Sequence, residues 1–136
     1  MDSISLVASL EKFIKDQNVS TILDVGCGDM NWIQMVNLNG ATYLGIDTEQ
    51  HVQKMPLPFI KREFPRGMSL DGVWDMVICR DVLLHCRSRQ RIWILERLPG
   101  LAIRFVLVSQ LPEERIDGMA LTGKVADLLV FQPCPS

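Results

Sequence analysis

With 136 residues the chain has room for one domain, 1–136, and a sizeable core. An apolar content of 48% excludes a disordered chain, and a formal net charge of −2 excludes a protein that coats nucleic acid through charge alone. The cysteines at 27, 79, 86 and 134 lack C-x-x-C spacing, so neither a zinc ribbon nor a redox motif is read and no metal is expected.

Residues 3–16 repeat apolar side chains at helical spacing: Leu6, Val7, Leu10, Phe13 and Ile14 share one face, with Lys12 and Lys15 outside and Ser3 or Ser5 as the cap. Acids at Asp2 and Glu11 leave no basic-then-apolar pattern, so no signal peptide is read, and no apolar run reaches membrane length. The expected compartment is the cytoplasm, with reduced thiols.

Thr21 to Val25 is a buried strand that runs into Gly26-Cys27-Gly28, a sharp turn in which glycine supplies left-handed backbone and a surface bare of Cβ atoms. A short helix over Met30 to Val36 is expected next, with Asp29 capping its free N–H groups; whether Trp32 is buried stays open. Ala41 to Ile46 is the second strand, and it ends on Asp47, where a carboxylate at a strand tip can accept both hydroxyls of a ribose. Met55-Pro56-Leu57-Pro58 breaks any helix begun at Glu49, and Phe59 to Phe64 is a third, weaker strand. Val73 to Cys79 is the fourth, followed by Arg80-Asp81-Val82-Leu83-Leu84-His85. Ser88 to Leu98 is a helix with Ile92, Trp93, Leu95 and Leu98 as its buried side, stopped by Pro99-Gly100. Arg87, Arg89 and Arg91 crowd its first turn, as a solvated face or as the mark of a phosphate-bearing partner. Arg104 to Ser109 is the fifth strand, and Val125 to Phe131 is either a strand or a pair of helical turns.

Asp24-x-Gly26-x-Gly28 at the tip of a first strand resembles the first motif of the class I S-adenosylmethionine-dependent methyltransferases. The nicotinamide fingerprint G-x-G-x-x-G fits less well, because its third glycine falls on Asn31. The stretch from Arg80 to His85 is similar to the Arg-Asp-x-Leu-x-His segment of a bacterial branch of that family. The resemblance implies an α/β, Rossmann-like doubly wound sheet in the order 3-2-1-4-5. It also implies S-adenosylmethionine as cofactor and S-adenosylhomocysteine as product. Carried over residue by residue, it implies cofactor contacts at Asp24, Gly26, Cys27, Gly28, Asp29, Trp32, Asp47, Thr48 and Arg80. The acid that meets the adenine falls on Glu63, with Asp71 as the alternative, and Arg80, Asp81 and His85 are the groups nearest the transferred methyl.

The resemblance covers Ser20 to Ser109 and thins beyond, where the residues left are too few for a helix and two full strands. The last two strands are therefore expected to be reduced or absent, with a second copy or a partner chain covering the shortened edge. No Asn/Asp-Pro-Pro-Tyr/Phe follows the fourth strand, so the amine methylation that motif supports is not indicated. No nucleic-acid channel is read. The expected function is a minimal methyltransferase with an unidentified acceptor; the alternatives are a catalytically silent module that binds or activates a partner, and a nicotinamide-dependent oxidoreductase.

Overall fold

Seven strands, among the described residues, form one sheet in the order β3-β2-β1-β4-β5-β7-β6. The computed structural model describes residues 3–62, 74–80, 88–109 and 115–134. Five of the strands are parallel: β1 (Thr21–Val25), β2 (Thr42–Asp47), β3 (Phe59–Lys61), β4 (Trp74–Cys79) and β5 (Ala102–Ser109). The antiparallel pair β6 (Met119–Val125) and β7 (Leu128–Pro133) closes the far edge. Two α-helices among the described residues, α1 (Ser3–Asp16) and α2 (Ser88–Arg97), accompany them.

The strands read as apolar runs because both faces of the sheet are covered. Side chains alternate across it, so Ile22, Tyr43, Met76, Ile78, Phe105 and Leu107 pack with Leu6, Leu10 and Ile14 of α1. Leu23, Val25, Ile46, Val77, Val106 and Val108 face the other way, onto Ile94 and Leu98. Alternation also puts Asp24 on the α1 side, next to Ile22, which decides what surrounds its carboxylate.

Three expectations are corrected. The last two strands are neither reduced nor absent: β6 and β7 are full strands, joined by the two-residue turn Ala126-Asp127, with Ala126 at φ 54°. A hairpin needs only two linking residues, and residues 110–118 connect it to β5, so the C-terminal part of the chain goes into strands. The run after the glycine turn holds only a 3-10 turn, Ile33–Met35, because Met30 sits at φ 62° and the stretch is too short to nucleate an α-helix. On α2 the core residue is Ile94, 6% exposed, while Ile92 and Trp93 are 56% and 38% exposed and Leu95 is half-buried. Four consecutive apolar residues put one on every side of a helix, so their spacing did not select the buried stripe.

At the edge of the sheet opposite the glycine turn, a polar knot ties α1 to β4 and β5. Asp75, buried, accepts the Ser20 N–H at 3.0 Å and Arg104 Nη1 at 3.1 Å, and its own N–H donates to Thr21 Oγ1 at 2.7 Å. Arg104 Nη2 also donates to the Gln17 carbonyl at 2.7 Å, and the Phe13 and Phe105 rings meet edge to face beside it. Asp75→Ala strands a backbone donor and a guanidinium together, so it is expected to lower the stability read by urea denaturation by about 2 kcal/mol. Lys12→Ala removes an exposed ion pair with Asp16 and should change it by less than about 0.5 kcal/mol.

Candidate functional site

The carboxyl tips of β1, β2 and β4 carry the polar residues that the core does not need. Beyond Val25 the backbone of the turn stays bound to β2: the N–H groups of Gly26 and Cys27 both donate to the Ile46 carbonyl, at 2.8 and 3.1 Å. Gly28 N–H donates to Asp47 Oδ2 at 2.9 Å, and Asp47 Oδ1 accepts the Thr48 N–H at 2.7 Å. Gly26 at φ 75° and Gly28 at φ 59° have the left-handed backbone that such a turn needs. A Cβ built on Gly28 would meet nothing within 4 Å, so the turn is open on that side.

The three N–H groups of the turn are thus turned toward β2. A glycine loop that cradles phosphate does the opposite, aiming its N–H groups at the ligand. Among the described residues three acids stand around this turn: Asp24 beneath it, Asp47 beside it with His51 Nε2 3.6 Å from its Oδ2, and exposed Asp29 at its exit, where Oδ1 accepts the Asn31 N–H at 2.9 Å.

Asp24 is only 2% exposed, and Tyr43, 4% exposed, donates its hydroxyl to Asp24 Oδ2 at 2.6 Å. Burial, and the negative Asp47 nearby, push the Asp24 carboxyl up to about 6, against the opposing pull of the Tyr43 hydrogen bond and Arg80. The same burial pushes the Cys27 thiol up to about 12, so it stays protonated and unreactive.

Arg80, at the tip of β4, lies over the half-buried Trp32 ring with its guanidinium carbon 5.3 Å from the centroid. Its Nη2 is 3.9 Å from Asp127 Oδ2 in the β6–β7 turn. The structure therefore gathers Asp24, Gly26, Cys27, Gly28, Asp47 and Thr48 around the turn, and stacks Trp32 with Arg80 beside the C-terminal hairpin. Glu63, Asp71, Asp81, His85 and Arg87 lie outside the described residues.

Sequence reasoning missed Tyr43, Gly45 and Asp127. Gly45 had a legible signal, a lone glycine inside a strand pattern, which marks a close backbone approach. A Cβ there would stand 2.6 Å from Met30 Cε and 2.9 Å from Cys27 Sγ. Tyr43 is the chain's single tyrosine, on the same face as Asp24, yet nothing in its neighbours announces the pair.

Gly45→Ala is expected to lower stability by about 1–3 kcal/mol through overpacking of the turn. Gly28→Ala, which meets no atom, should lose about 1 kcal/mol from its backbone angle alone; denaturation curves of the two variants check the order. The raised Asp24 carboxyl favours the protonated form in the folded chain. Its contribution to stability is therefore complete below pH 3.8 and is lost as the pH rises through about 6. Asp24→Asn removes that falling limb, and by pH 7.5 the variant should be more stable than the wild type by roughly 2–3 kcal/mol, measured as a pH series of melting curves.

No protein-family model matches the sequence, and no curated protein is similar to it in sequence. Similarity is found among solved structures. Magnesium protoporphyrin IX methyltransferase (ChlM) from Synechocystis PCC 6803 with bound SAM superposes with a TM-score of 0.71 at 19% identity, over 94% of this chain and 78% of that one. The methyltransferase domain of bacterial CtHen1-C does so with a TM-score of 0.64 at 15% identity, over 83% and 68%. For the 1,6-didemethyltoxoflavin-N1-methyltransferase of Burkholderia thailandensis with bound S-adenosylhomocysteine the values are 0.64 and 13%, over 96% and 62%. The strand order, the antiparallel closing pair and these likenesses together establish that the chain has the fold of the class I S-adenosylmethionine-dependent methyltransferases.

Proposed function

We propose that the protein binds S-adenosylmethionine at the tips of β1, β2 and β4 and transfers its methyl group to an acceptor that approaches beside Arg80. The observation that carries this reading is the polarity of the glycine turn. Its N–H groups are consumed by Ile46 and Asp47, while three carboxylates surround it. That arrangement suits a ligand with cationic centres and sugar hydroxyls, and it disfavours the pyrophosphate of a nicotinamide dinucleotide.

The residues present fit the cofactor. The open side of Gly28 leaves the turn bare; Asp47, its side chain 16% exposed, gives Oδ1 to the Thr48 and Glu49 N–H groups, while Oδ2, which accepts the Gly28 N–H and has His51 Nε2 at 3.6 Å, keeps a lone pair for a ribose hydroxyl. Asp24 supplies negative charge to the amino-acid end. When bound, the cofactor supplies an electrophilic methyl and a neutral thioether leaving group, so what the protein has to contribute is orientation and exclusion of water. Trp32 and Arg80 form a flat wall, tied at its far side to Asp127, against which an acceptor can be aligned.

Titration calorimetry with S-adenosylhomocysteine tests the reading. The wild type should bind with micromolar affinity, Asp47→Ala should give no measurable heat, and a nicotinamide dinucleotide should give none with either protein. A wild type silent toward both S-adenosylmethionine and S-adenosylhomocysteine overturns it. Incorporation of labelled methyl groups into a cell extract then separates an enzyme from a module that binds without turnover.

A further inference from the structure

Tyr43 takes no part in the contacts proposed so far, yet it is buried against the most buried acid of the site. We propose that Tyr43 is a positioning residue for Asp24: its phenol pins one carboxylate oxygen, so that the other is held toward the cationic end of the bound ligand. This rests on the cofactor reading above.

The geometry is specific. Parallel pairing sets Asp24 opposite Gly45 and Ile22 opposite Tyr43, so the tyrosine ring lies one step back along the same face and its hydroxyl reaches forward to Asp24 Oδ2 at 2.6 Å. Among the described residues Tyr43 is the sole hydrogen-bond donor to Asp24, so the carboxylate enters the site with one oxygen engaged and one available. Among the described residues, the ionisable and charged groups around it are Tyr43 and Asp47 from β2, Cys27 from the turn and Arg80 at the tip of β4, while α1 contributes apolar Leu6 and Leu10 to the cluster on this face. Burial and the adjacent carboxylate push the phenol well above its usual range, so Tyr43 stays a donor at every working pH. Without that donor a carboxylate this deeply buried loses both its orientation and part of what keeps it ionised.

The experiment uses calorimetric titrations of S-adenosylhomocysteine across pH on the full chain. Wild-type affinity should fall as the pH drops through about 6. Tyr43→Phe should bind about tenfold more weakly at pH 7.5, the loss expected for one hydrogen bond to a charged group, and its acid midpoint should move to higher pH. In the Asp24→Asn background, Tyr43→Phe should add nothing. Because Tyr43 is the chain's single tyrosine, biosynthetic fluorotyrosine replaces it alone and leaves the core intact. The more acidic phenol should shift the midpoint to lower pH, opposite to Tyr43→Phe, and its fluorine resonance should follow the Asp24 titration in the ligand-free protein. Unchanged midpoints in both replacements, with or without lost affinity, overturn the positioning role while leaving the cofactor reading standing. A wild type that binds neither S-adenosylmethionine nor S-adenosylhomocysteine overturns both.

Discussion

The turn after β1 lies close against β2, and the Met30 and Cys27 side chains fill the space that a Cβ at position 45 would take. Gly45 gives its space to Met30 Cε and Cys27 Sγ, and the Ile46 carbonyl takes two N–H groups from the turn. That approach is what brings Asp47 within 2.9 Å of the Gly28 N–H and latches the two strand tips together. Met30 accepts a left-handed backbone to fill the corner, a conformation that persists because the packing around it over-determines it.

The two ends of the sheet treat charge differently. At one end Asp75 is neutralised and hydrogen-bonded by Arg104, Ser20 and the framework around Thr21, which fastens α1 to the strands. At the other end Asp24 is also buried but has one hydrogen-bond donor among the described residues, and Asp47 stands close enough to repel it. An ionised Asp24 opposes folding, whereas the hydrogen bonds of Asp75 hold the strands and the end of α1 together. Local rules are broken at the tips of β1 and β2 and obeyed at the opposite edge, the distribution expected when one end of a fold is shaped by a ligand.

The C-terminal hairpin closes the sheet, and its two-residue turn also carries Asp127 toward Arg80 at the edge of the candidate site. Its outer strand, β6, is exposed along most of its length, yet it offers a poor template for another strand. Lys124 lies on it, and its register shifts between Leu121 and Gly123. The described helices include none long and apolar enough to cross a membrane.

The order of elements from α1 to β5, the glycine turn and the acid ending β2 were legible in the sequence, because each is written locally: apolar runs, glycine where the backbone turns left-handed, a carboxylate at a strand end. Tertiary structure alone decided that Asp24 lies under Tyr43, that the turn spends its N–H groups on β2, that Ile94 rather than Ile92 enters the core, and that Arg80 spans from Trp32 to Asp127. These depend on strand register and on which face of an element meets its neighbour, and both are set by contacts between residues far apart in the chain. No local pattern encodes such a contact, so periodicity located the tips of the strands while packing determined the chemistry gathered there.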